Sequence, residues 1–74
     1  MNYVSESYTY KSTLIGGKEL LVEGHKGVYA YSKEEIVLRV KGGRIVCKGE
    51  HLCIEEINEY EVKIMGKIIS LEVV

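Results

Sequence analysis

Four side chains in this 74-residue chain are of the types that hold zinc: His25, Cys47, His51 and Cys53. Their spacing does not suit a metal. Zinc sites take paired ligands from steps such as C-x-x-C or H-x-x-x-H, and here only His51-x-Cys53 sets two such residues close in the chain. Cys47 lies among aliphatic residues, where a free thiol behaves as a small hydrophobe. No metal site and no cofactor are expected. Nucleophilic catalysis needs Cys or Ser beside His, an acidic orienter and an oxyanion hole, and no stretch supplies them together. The phosphate-cradling patterns G-x-G-x-x-G and G-x-x-x-x-G-K-[ST] are missing. Glu34 with Glu35, and Glu55 with Glu56, are sequence neighbours, so in extended chain each pair points to opposite faces. The inventory predicts no enzyme, no catalytic residue and no small-molecule substrate.

Binding chemistry is better represented. Arg39, Lys41, Arg44 and Lys48 fall on one face of a predicted hairpin and could meet phosphate, as in small β-barrel nucleic-acid binders. Those binders also stack bases on aromatic residues, and the sequence places none on that face. Cations on an exposed strand also guard against edge-to-edge pairing. The basic face is therefore the rival reading. His25 sits between Gly24 and Lys26-Gly27 and reads as an exposed turn histidine, either idle or touching a partner. Tyr29 and Tyr31 lie in a short predicted strand, and tyrosine favours interfaces. The candidate partner-binding residues are His25, Lys26, Tyr29, Tyr31, Arg39, Lys41 and Arg44.

The elements that must position these residues are strands. Val, Ile and Thr together supply nineteen residues, Ala occurs once, and Pro is absent. That balance disfavours helices and favours sheet. The apolar share of 46% and a formal net charge of −1 exclude a disordered chain and give no electrostatic pull toward nucleic acid or anionic membrane. No apolar run approaches a membrane span. The first residues carry neither a basic patch nor an apolar stretch, so no export signal is read, the cysteines are expected as free thiols, and the chain is expected in the cytoplasm. Residues 1–7 are expected as a flexible tail on a single domain covering 1–74.

Glycines cut the chain into apolar pieces at the spacing of antiparallel hairpins. Around Gly42-Gly43, read as a type I′ turn, Val40 is set opposite Ile45 and Leu38 opposite Cys47. Ile36, Leu38, Val40, Ile45 and Cys47 then share one face and the cations the other. Around Gly66-Lys67, read as a type II′ turn, Ile64 is set opposite Ile69, Val62 opposite Leu71 and Tyr60 opposite Val73. A first hairpin is read through a four-residue loop, pairing Ile15 with Leu20 and Leu14 with Leu21. Val28–Tyr31 and residues 51–54 read as separate short strands, and residues 32–35 as a tight turn or one helical turn. The fold class is all-β: a small single-domain antiparallel roll or open barrel of six or seven strands, built from consecutive hairpins. So small a core needs supplementing, by good packing or by association.

Four stretches in order resemble the YabP/YqfC sporulation proteins. Gly17-Lys18-Glu19-Leu20-Leu21-Val22-Glu23-Gly24-His25-Lys26-Gly27-Val28 is similar to that family's opening, and Tyr31-Ser32-Lys33-Glu34-Glu35-Ile36 to its aromatic–acidic segment. Gly43-Arg44-Ile45-Val46-Cys47-Lys48-Gly49-Glu50-His51-Leu52 resembles its "G-x-I-x-I-x-G-x-x-L" core. Glu59-Tyr60-Glu61-Val62-Lys63-Ile64-Met65-Gly66-Lys67-Ile68 resembles its closing piece. The likeness covers residues 13–74 and is nearer the YqfC branch. It implies a non-enzymatic accessory protein of endospore formation, acting in the mother cell by protein–protein assembly, peripheral to the engulfing or outer forespore membrane or the spore envelope. It implies a membrane-associated sporulation protein as partner; apart from the resemblance, an apolar strand with an unpaired edge must be covered, which makes a homo-oligomer a further arrangement. The family has no recognised catalytic motif, so the resemblance transfers no catalytic residue.

Overall fold

The computed structural model describes residues 2–6 and 10–74, with side chains from Tyr10 onward. Every regular element in it is a strand: β1 (Asn2–Glu6), β2 (Lys11–Ile15), β3 (Glu19–Glu23), β4 (Val28–Tyr31), β5 (Glu35–Val40), β6 (Gly43–Ile57) and β7 (Glu61–Val73). They form one antiparallel sheet in the order β1-β2-β3-β7-β6-β5-β4. The fold is the expected all-β roll.

A lone sheet can bury a face only by folding over on itself. The long ribbon β6–β7 does the folding. Its register shifts at Lys48/Gly49, at Glu50/Cys53 and at Ile54/Glu56, and such bulges bend strands and let them pass from one sheet direction to another. One half of the roll joins β4 and β5 to residues 43–48 of β6. The other joins β1, β2 and β3 to residues 61–65 of β7. The two inner faces meet in one core: Leu20, Val22, Val62 and Ile64 from the second half, Ile36, Leu38, Val40, Ile45 and Cys47 from the first, and Leu52 from the bent stretch of β6 between them. Tyr10, Leu14, Ile54, Ile68 and Leu71 pack at its margin.

Three expected hairpin details change. At β5–β6 the turn is Lys41-Gly42: Leu38 faces Ile45, Ile36 faces Cys47 and Arg39 faces Arg44. Gly42 at φ 86° takes the third position of a type II turn, which requires positive φ there. The shift from the expected register is two residues, so every side chain keeps its face. At β2–β3 the loop has three residues, with Leu14 facing Leu20 and Ile15 facing Glu19. The one-residue difference sets the buried Leu20, and not Leu21, opposite Leu14, so both face the core.

The third change is larger. Gly66-Lys67 is not a turn, and Tyr60 does not face Val73. β7 runs through Gly66 and pairs with β6, so residues 51–54 belong to one continuous β6 and Ile64 faces Ile54. Gly66 instead lies opposite the bulge of β6 at His51 and Leu52: a Cβ there would stand 2.7 Å from the His51 carbonyl oxygen and 2.9 Å from the Leu52 Cα. A Cβ at Gly49 would fall on the Lys67 carbonyl oxygen. Both glycines are needed for backbone approach, a demand that local spacing cannot separate from a turn. At the N-terminus, Asn2–Glu6 is not a tail but edge strand β1, in register with β2 from Asn2 opposite Ile15 to Glu6 opposite Lys11. The rest of the expected tail, Met1 and Ser7, lies outside the described residues.

Candidate functional site

The segment between β3 and β4 spans the two halves of the roll. Gly24 N–H donates to the Tyr60 carbonyl at 2.7 Å, tying the segment to the β6–β7 turn. Lys26 N–H donates to the Arg39 carbonyl at 2.6 Å, and Arg39 N–H to the Gly27 carbonyl at 2.8 Å, tying it to β5. His25 lies between these ties. It is only 8% exposed. Gly27 N–H donates to Nδ1 at 2.9 Å, so Nδ1 is the acceptor and the proton sits on Nε2, which donates to the Asn58 carbonyl at 2.7 Å. The expected exposed turn histidine is therefore a buried clamp, with little surface left to offer a partner. Sequence reasoning missed this because its anchor, Asn58, is 33 residues away. Asn58 is itself fixed, since its Oδ1 accepts from Tyr60 N–H at 2.8 Å and Glu61 N–H at 2.7 Å. An Asn opening a short polar turn is the signal that could have found it.

Beyond the clamp the chain emerges as β4, the last strand of the sheet, and Val28, Tyr29, Ala30 and Tyr31 are all exposed. β4 ends in a turn closed by Ser32, whose Oγ accepts from Glu35 N–H at 2.9 Å while Ser32 N–H donates to the Glu35 carbonyl at 2.8 Å. A bulge between Val28 and Ala30 brings Tyr29 over the outer face of β5 and β6. There the Arg44 guanidinium lies 3.7 Å from the ring centroid, and that of Arg39 lies 6.0 Å away. Arg39 and Arg44 are direct cross-strand partners, a like-charge placement that is unfavourable by itself. The negative face of the Tyr29 ring offsets it by cation–π attraction. The expectation of no aromatic residue on the basic face is overturned, because the bulge turns Tyr29 onto it. Lys26 and Lys41 are exposed nearby, Lys41 in the β5–β6 turn. Lys48 faces Glu35 across the same pair of strands.

The outer face of the other half has the opposite character. Glu19, Leu21, Glu56, Asn58, Glu61 and Lys63 line a groove of about 240 Å³. Lys63 Nζ lies 3.5 Å from Glu19 and 3.6 Å from Glu55, and these carboxylates, Glu19 first, hold its ammonium above the usual range. The zinc-type residues do not converge. Cys47 is buried in the core, His25 is engaged as described, and His51 and Cys53 are exposed on β6. Both thiols are free, and burial pushes that of Cys47 up to about 11.

Comparison with known proteins gives the chain its relatives. Over 56 residues it is 29% identical to the uncharacterized protein YqfC of Bacillus subtilis (strain 168). That stretch is 76% of this chain and 60% of YqfC, so the chain spans less than two thirds of that relative. No solved structure matches the chain. The model of the YabP family matches residues 7–74, taking in the clamp, the β4 edge and the whole bent ribbon. The chain belongs to the YabP family.

Proposed function

We propose that the chain is a non-enzymatic sporulation protein that acts by protein–protein assembly in the mother cell. Its place is peripheral, at the engulfing or outer forespore membrane or the spore envelope, and its partner is a membrane-associated sporulation protein. The setting comes from the family resemblance. The observation that carries the mechanism is β4, an edge strand whose four residues are all exposed, two of them tyrosines. An uncovered edge is a template for another chain, and loops and edges held on a rigid scaffold are where binding residues concentrate. The scaffold here is rigid at that point, because the clamp fixes the entry to β4 and Ser32 fixes its exit.

Affinity capture of the tagged protein from sporulating cells, with membranes solubilised, tests the reading. A membrane-associated partner recovered only from sporulating cells is the expected result. Recovery of no partner, from a protein that light scattering shows monomeric across a dilution series, would refute it.

A further inference from the structure

Resting on that assembly reading, we infer that β4 receives an extended acidic segment of a partner protein, which adds to the edge of the sheet as its next strand. The backbone is ready for it. Ser32 N–H bonds to β5, Ala30 faces Val37 and Tyr31 faces Ile36. In an antiparallel ladder the residues alternate in direction, so the Tyr31 N–H and C=O point away from β5, toward the open side. The side chains grip from both faces. Tyr29, 51% exposed, lies on the face of Arg39 and Arg44, while Tyr31, 58% exposed, shares the opposite face with Ile36. Strand addition draws affinity from main-chain bonds and specificity from alternate side chains, and this edge offers both.

Charge selects the occupant. Lys26 and Lys33 bracket β4 in sequence, and Arg39, Lys41 and Arg44 stand on the neighbouring strands and turn. Against these five cations are the carboxylates Glu34 and Glu35, the second set opposite Lys48, and Glu72, which faces Val46 on the strand beyond Arg44; the cations stay in excess. A second copy of this chain does not suit: antiparallel pairing of β4 with itself, Val28 against Tyr31, brings Lys26 against Lys33 and sets two arginine faces side by side. Nucleic acid suits less well too. The Arg44 guanidinium already lies on the Tyr29 ring, and a nucleic acid would leave the open backbone groups unused.

The test is an amide-shift titration of the isotopically labelled full chain with an end-blocked peptide of alternating glutamate and valine. The alternating lysine–valine peptide and a short oligothymidylate serve as comparison probes. Shifts should concentrate at Val28–Tyr31, weaken with added salt, and be absent with the lysine peptide. Tyr31→Pro removes the outward N–H together with the exposed ring that grips the occupant, and should abolish binding. Arg44→Glu replaces a like-charge cross-strand pair with an opposite one, so it keeps the fold; it should weaken the glutamate peptide about tenfold, or 1.4 kcal/mol, and admit the lysine peptide. Equal binding of both peptides to the unaltered chain, no shift on β4, or oligothymidylate shifting Arg39 and Arg44 with β4 unmoved would each overturn the inference. The same two variants separate it from the assembly reading. If they still retain the captured partner, the edge site is wrong and assembly stands.

Discussion

Replacing His25 with alanine should destabilise the protein without touching its exposed surface. The change removes two hydrogen bonds, Nε2 to the Asn58 carbonyl at 2.7 Å and Gly27 N–H to Nδ1 at 2.9 Å. Each contributes about 1 kcal/mol net. The half-buried Gly27 N–H is left without its partner, while water can reach the exposed Asn58. The expected loss is therefore about 2–3 kcal/mol, a large fraction of the roughly 4–11 kcal/mol typical of a chain of this length. Each kcal/mol should lower Tm by about 4–8 °C. His25→Asn keeps an acceptor near the Nδ1 position, and His25→Gln keeps a donor near Nε2, so each should recover about half of the loss. Lys26→Ala, on the exposed neighbour, should change little. Urea unfolding at neutral pH, read for both midpoint and slope, measures all four. A His25→Ala protein within about 0.5 kcal/mol of the parent, or a Lys26→Ala loss of equal size, would refute the clamp.

Two further outcomes follow from the core and the ribbon. The Cys47 thiol ionises near 9.0 when unfolded and near 11 when buried, so above pH 9 the folded state holds a proton the unfolded chain has released. The stability from burying the neutral thiol is complete below pH 9 and is lost as pH rises toward 11, a decline of about 2–3 kcal/mol. Urea titrations across that window should show it, and Cys47→Ala should flatten it; in the same samples a thiol reagent should label exposed Cys53 at once and Cys47 only on unfolding. Gly49→Ala forces a Cβ onto the Lys67 carbonyl oxygen and should cost about 3 kcal/mol or prevent folding; thermal unfolding at parental Tm would show that this close approach of β6 and β7 tolerates a side chain.

Alternation and composition made the strand content legible, together with the faces of β5 and β6. Ile36, Leu38, Val40, Ile45 and Cys47 do line the core, although the turn sits one residue earlier than expected. Face assignment survives that error because a two-residue change of register returns each side chain to its own side. What stayed hidden were facts decided by distant chain. Gly66 looks like a turn until β6 is laid against it. His25 looks exposed until Asn58 arrives from 33 positions away. Tyr29 reaches the arginines only because a bulge turns it. Of the seven candidate binding residues, Lys26, Tyr29, Tyr31, Arg39, Lys41 and Arg44 are gathered on or beside the β4 edge, and His25 supports that edge from within.

The claim that the protein works through this edge is most directly tested by counting heat-resistant spores from a strain whose only copy carries Tyr31→Pro and Arg44→Glu. The variant protein should accumulate, fold with unchanged thermal stability, and yield few resistant spores. A parental spore count from that folded variant would contradict it.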